Sequence, residues 1–173
     1  MSERSAAGED SAGALLELYD SALPHVYGYL LARCGGTAVA EDLTAETFLA
    51  VADAVRKDDP PAMSIPWVLG VARHKLVDHW RRKARDERRL AVAVDDRSFE
   101  DPWEAHIDAV CARETLGRLG VHHRAALTLR YLDDLPVREV AALLERSVHA
   151  TEALLVRARA AFRRAYAEEA GDA

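Results

Sequence analysis

Between Ala14 and Cys34, Leu15, Leu18, Tyr19, Ala22, Val26, Tyr29, Leu30 and Arg33 recur on one face at helical spacing. The pattern predicts an amphipathic helix that kinks or restarts at Pro24, because proline removes a helical N–H and crowds the preceding turn. Gly35-Gly36 ends it. Thr37 opens a second helix, with Glu41 in its first turns, that runs to about Lys57. Asp58-Asp59-Pro60-Pro61 is a break. Ser64 reads as an N-cap and Pro66 as an early helical proline, so a third, long helix follows from Trp67 to about Arg89. Residues 91–102 lose the period and turn acidic, as a linker does. Four shorter helices are expected near Trp103–Leu119, His122–Leu132, Pro136–Leu144 and Val148–Ala167. Residues 1–11 read as a frayed tail, and no stretch alternates as a strand would. The expected fold class is all-α: two helical domains, 11–90 and 104–168, joined by a flexible acidic linker at 91–103.

The last two helices carry the first functional signal. Val137, Val140, Ala141 and Leu144 mark the buried face of a short helix, and three residues later Ser147 can cap another. That second helix is expected to bury Val148, Thr151, Leu155, Ala158 and Phe162. Its opposite face shows His149, Ala150, Ala153, Leu154 and Arg157. A short helix, a tight turn and a longer helix with a polar leading face is the helix-turn-helix plan, whose second helix enters the major groove of DNA. An ordinary helical hairpin has the same outline.

Charge distribution sharpens this reading. The formal net charge of −6 is unlike that of a simple nucleic-acid binder. The charges are segregated, however. Arg73 to Arg89 holds eight Lys or Arg against three acids, and Arg157 to Arg164 holds four Arg and no acid. Acidic residues collect at Glu41–Asp59 and Asp95–Glu104. No Gly-rich phosphate loop, Cys/His cluster with zinc spacing or Ser/His/Asp arrangement appears, so no catalytic residue, metal site or cofactor is expected. Cys34 and Cys111 lie in apolar helical patterns and read as reduced packing residues. The polar N-terminus has no signal core, and no run approaches the ~20 apolar residues of a membrane span. A cytoplasmic protein is expected.

The second half resembles a known family. Leu116, Leu119, Arg124, Leu127, Leu129, Arg130, Tyr131, Leu135, Glu139, Val140, Ala141, Leu143, Leu144, Ser147, Leu155, Arg157, Ala158 and Arg159 match the C-terminal domain of bacterial extracytoplasmic-function (ECF) sigma factors in order and spacing. The resemblance implies binding to the minus-thirty-five promoter element and to the flap of the polymerase beta subunit. It implies a DNA-facing set of Ser147, His149, Ala150, Glu152, Ala153, Leu154, Arg157 and Arg159. Where the family usually has Thr, Val, Lys, Ser and Arg, this chain has Ala150, Thr151, Glu152, Ala153 and Leu154, so two cations are absent. Glu152 can accept from a cytosine amino group, and Leu154 can pack a thymine methyl. The family's turn glycine is Glu145 here.

The first half resembles the same family. AEDLTAETFL, residues 40–49, is similar to the segment AEDLxQxTFL that docks on the beta-prime coiled coil of RNA polymerase, implying contacts from Asp42, Leu43, Glu46, Thr47 and Phe48. WVLGVARHKLVDHWRR, residues 67–82, is similar to WLxxIARNxxxDxxRR, which binds the minus-ten element as it melts. An opening duplex offers phosphate charge and unstacked bases, so its binder needs cations. Arg73, His74, Lys75, Arg81, Arg82 and Arg85 are the expected minus-ten set, with the loop 57–65 beside His74 as a base pocket. Trp67 and Trp80 read as core. The resemblance implies a non-enzymatic sigma factor whose partners are core RNA polymerase, promoter DNA and an anti-sigma protein. A one-component helix-turn-helix regulator is the alternative. It would bind duplex operator alone, as a dimer, and would need neither the docking segment nor the basic melting helix.

Overall fold

A computed structural model describes residues 3–57, 61–90 and 109–171. Every regular element among them is helical: α1 (Glu3–Cys34), α2 (Thr37–Val55), α3 (Ile65–Leu90), α4 (Ala109–Arg118), α5 (Val121–Leu127), a π-helical turn (Thr128–Leu132), α6 (Val137–Leu143) and α7 (Val148–Gly171). The chain forms two compact units, Met1–Leu76 and Val77–Ala173, the division falling inside α3. The expected linker at 91–103 and the start of the helix expected from Trp103 lie outside the described residues.

In the first unit α1 buries Leu18, Ala22, Val26, Leu30 and Cys34, one residue per turn. The helix begins at Glu3 rather than near Ala14, and it continues through Pro24 without interruption. Gly35 then adopts a left-handed φ of 80°, which glycine takes at no steric cost, and turns the chain into α2. The answering stripe on α2 is Ala40, Leu43, Thr44, Thr47 and Val51. Its two threonines satisfy their hydroxyls within the helix: Thr44 Oγ1 donates to the Ala40 carbonyl and Thr47 Oγ1 to the Leu43 carbonyl, both at 2.7 Å. Each Leu or Val fully withdrawn from water contributes roughly 1.5–3 kcal/mol, so these stripes hold the unit together. Ser64 caps α3 as expected, its Oγ accepting from the Trp67 N–H at 3.4 Å.

In the second unit α7 packs against α4, α5 and α6. The core is Leu119, Ala126, Leu127, Leu154, Leu155 and Ala158, with Val137, Leu144 and Phe162 against it. A helix touched by three others is buried over more than a single stripe. That corrects two sequence expectations: Leu154, read as DNA-facing, is 3% exposed, and Val148, read as core, is 41% exposed. Arg124 is also interior. Its guanidinium donates to the carbonyls of Leu116 (2.9 Å), Gly117 and Leu119 (3.1 Å), closing the C-terminal end of α4.

Candidate functional site

The helix-turn-helix of the second unit is set by two caps. At the end of α6 the Arg146 N–H bonds the Ala141 carbonyl at 2.9 Å and the Glu145 N–H bonds the Ala142 carbonyl at 3.2 Å. This pair of bonds is a Schellman motif, with Glu145 at the position that favours glycine. Its φ is 53°, so a β-carbon sits in the left-handed region. Glu145→Gly is expected to raise the unfolding free energy of this unit by about 0.5–1 kcal/mol, the relief of strain being partly offset by a more flexible unfolded chain. A shift in urea midpoint with an unchanged slope measures it. Three residues on, Ser147 Oγ accepts from the Ala150 N–H at 3.1 Å and starts α7.

The outward strip of α7 comprises His149, Glu152, Ala153 and Arg159, with Val156, Ala160 and Arg163 partly covered beside them. Ala150 is half-buried at its edge. Arg157 and Arg159 project about 160° apart round the helix, Arg159 on the strip and the half-buried Arg157 beyond its other edge. Of the residues implied for minus-thirty-five contact, Ser147, His149, Glu152, Ala153 and Arg159 are exposed and Arg157 is half-exposed, whereas Leu154 faces inward.

Arg157 and Arg164 face α5, and there they act on His123. The pKa of His123 lies below its ordinary 6.5, chiefly because burial desolvates the imidazolium and then because these two arginines repel it. The unfolded chain therefore binds more protons than the folded one between the depressed pKa and 6.5, so stability falls as the pH drops through that window. Unfolding titrations from pH 7 to about pH 5 are expected to show this fall, and His123→Gln to reduce it.

On α3 the cations divide. His74, Arg82 and Arg85 lie on one exposed stripe that also carries Asp78. Arg73, also of the expected minus-ten set, is half-buried on the packed side with its Nε enclosed. Lys75 is half-buried and pairs with Glu46 of α2 at 4.0 Å. Within the second unit Arg81 pairs with Asp78 at 3.2 Å and with Glu145 at 3.1 Å. Trp80 is buried, as expected, and Trp67 is partly covered. Of the loop 57–65, residues 58–60 lie outside the described set.

The segment expected to dock on polymerase divides as well. Asp42 is exposed and Glu46 half-exposed, whereas Leu43 is 1% and Thr47 0% exposed, so the last two support the helix from within. Phe48 lies at the flank, its ring 4.6 Å from that of Tyr19 on α1. Leu49, absent from the expected set, is 67% exposed and points directly away from the buried stripe. The spacing Asp42, Ala45, Leu49 was a signal for it, since these positions share a helix face.

Two family models match the chain in succession, the first running ten residues past the boundary between the compact units. Residues 18–86 match the family model for sigma-70 region 2, and residues 109–162 match that for sigma-70, region 4. The chain belongs to the extracytoplasmic-function sigma factors. This sigma factor is 32% identical over 162 residues to the ECF RNA polymerase sigma factor BldN of Streptomyces coelicolor, covering 90% of the chain and 61% of BldN. It thus spans about three fifths of that relative's length. It is 29% identical over 147 residues to the ECF RNA polymerase sigma factor SigM of Bacillus subtilis, covering 83% of the chain and 89% of SigM. Among solved structures, the sigma factor RpoE of Bartonella quintana, crystallised with the anti-sigma factor NepR, matches with a TM-score of 0.51 at 16% identity, over 91% of the sigma factor and 96% of RpoE. That similarity is one of fold. No described helix of the sigma factor is long and apolar enough to cross a membrane.

Proposed function

We propose that this chain joins core RNA polymerase and directs it to promoters, doing no chemistry itself. The observation that carries this reading is the occurrence of sigma-70 regions 2 and 4 in one chain and in that order. A one-component regulator has no use for region 2. In this reading Asp42, Glu46 and Leu49 on the outward side of α2 meet the beta-prime coiled coil, with Phe48 bracing them against α1. His74, Arg82 and Arg85 on α3 meet the minus-ten element, where cations neutralise phosphate as the duplex opens. The strip of α7 meets the minus-thirty-five element, and the same unit meets the beta flap. An anti-sigma protein is the further partner, the class with which RpoE was crystallised. Work beside polymerase and chromosome places the protein in the cytoplasm.

The test is transcription in vitro from genomic DNA by core polymerase with and without the protein. New start sites preceded by two shared sequence elements are expected. An unchanged set of starts, with no association between protein and polymerase, defeats the reading.

A further inference from the structure

The outward strip of α7 has one acidic member, Glu152, and it makes no ion pair among the described residues. Of the two arginines nearest in sequence, Arg157 projects about 140° away round the helix, and Arg159 lies two turns on, about 10 Å along the same side. The neighbours on the strip itself are His149, Ala153 and the partly covered Val156. A helix laid in a major groove has a phosphate strand on either side, so a carboxylate on its exposed leading turns is repelled by both. Arg159, farther along the helix, suits those phosphates, but the carboxylate needs a donor from the floor of the groove.

Base edges supply donors selectively. Cytosine presents only an amino group there; guanine presents two acceptors; thymine presents an acceptor and a methyl; adenine pairs an amino donor with an acceptor. A carboxylate accepts and cannot donate. Against guanine or thymine it sets acceptor against acceptor, and against adenine it gains one bond while meeting the adjacent ring nitrogen. Cytosine is the base that offers a donor without an opposing acceptor. Resting on the proposed DNA-binding role of this unit, we infer that Glu152 makes the upstream promoter element require a cytosine at one position, by accepting from its exocyclic amino group. Ala153, one residue on and exposed, presents a methyl-sized apolar surface of the kind that packs the methyl of a thymine. Glu152 thus acts as much by exclusion as by attraction, because every wrong base leaves it unpaired in a groove of negative potential.

The reading generates a code that substitution can rewrite. Glu152→Gln adds a donor beside the acceptor, the arrangement that binds adenine through two bonds, so the preferred base at that position becomes adenine. Glu152→Ala removes the repulsion and flattens the preference there. The side chain is exposed, so both variants are expected to fold, and circular dichroism melts check this. The experiment uses the full chain with core polymerase on a promoter library randomised across the upstream element, with sequencing of the transcribed templates. The expected result is a cytosine column about tenfold to a hundredfold enriched, moved to adenine by Glu152→Gln and levelled by Glu152→Ala, with the other columns unchanged. An enriched upstream element whose columns are indifferent to both substitutions overturns the role of Glu152 and leaves the unit's DNA-binding role standing. A library with no upstream column enriched overturns both.

Discussion

The double variant Leu49→Asp, Asp42→Lys is expected to lower the affinity for core RNA polymerase by about a hundredfold or more, with the melting transition of the free protein unchanged. The size follows from position. Leu49 is two-thirds exposed, diametrically opposite the buried stripe of α2, and one turn or two from the acids that flank it. An apolar side chain at the centre of a protein interface typically contributes about 2 kcal/mol or more, and reversing a neighbouring charge adds repulsion against a basic partner. Roughly 3 kcal/mol in all is a hundredfold in dissociation constant. Neither change touches the core, so stability is expected to move by less than about 0.5 kcal/mol. Co-purification and a quantitative binding titration measure the loss, and calorimetry checks the fold. Leu43→Ala is the informative contrast. It deletes a side chain that is fully buried, so it is expected to destabilise the first unit by about 2–5 kcal/mol, and any loss of binding then follows loss of structure. Retained binding by the Leu49 and Asp42 variant in a folded protein refutes the docking assignment.

Arg124→Met is expected to destabilise the second unit by about 3 kcal/mol or more. The guanidinium is buried and holds three carbonyls at the end of α4, those of Leu116, Gly117 and Leu119. Hydrogen bonds from a charged donor are worth roughly 1.5–3 kcal/mol each, and a buried carbonyl left without a partner adds its own penalty. Methionine preserves the packing volume and removes every donor, which isolates the polar contribution. Chemical denaturation of the variant, compared with Arg118→Met on the surface of the same region, measures it. A difference below about 1 kcal/mol shows that water replaces the guanidinium at those carbonyls.

Much of this architecture was legible from the chain alone. The helices of the first unit announced themselves because each has a single buried stripe and a glycine or proline break between it and the next. The helix-turn-helix was legible for the same reason, through Val140 and Ala141 on one side of the turn and Thr151 and Ala158 on the other. The errors have physical causes too. Proline at position 24 reads as a kink or a restart from local chemistry, and the helix does not restart there, because packing against α2 holds the residues on both sides of it. Leu154 and Leu155 are adjacent and both buried, because α7 is enclosed by three helices, and one-stripe reasoning had to expose one of them. On α3 the count of cations was plain and their direction was not: His74, Arg82 and Arg85 are exposed, whereas Arg73 lies half-buried on the packed side. In the docking segment the motif identified the helix, and only burial separated Leu43 and Thr47, which hold it, from Leu49, which it displays.

That separation has a consequence for how the segment can change over time. Inward positions of α2 answer to the chain's own interior and, in the proposed docking role, outward ones answer to a surface encoded by a different gene. Substitutions of the first kind lower the amount of intact protein; those of the second kind alter its competition with other initiation subunits for a shared pool of enzyme. In that role outward residues can change in step with that enzyme while the inward ones stay put, and the ten residues 40–49 are expected to evolve at two speeds.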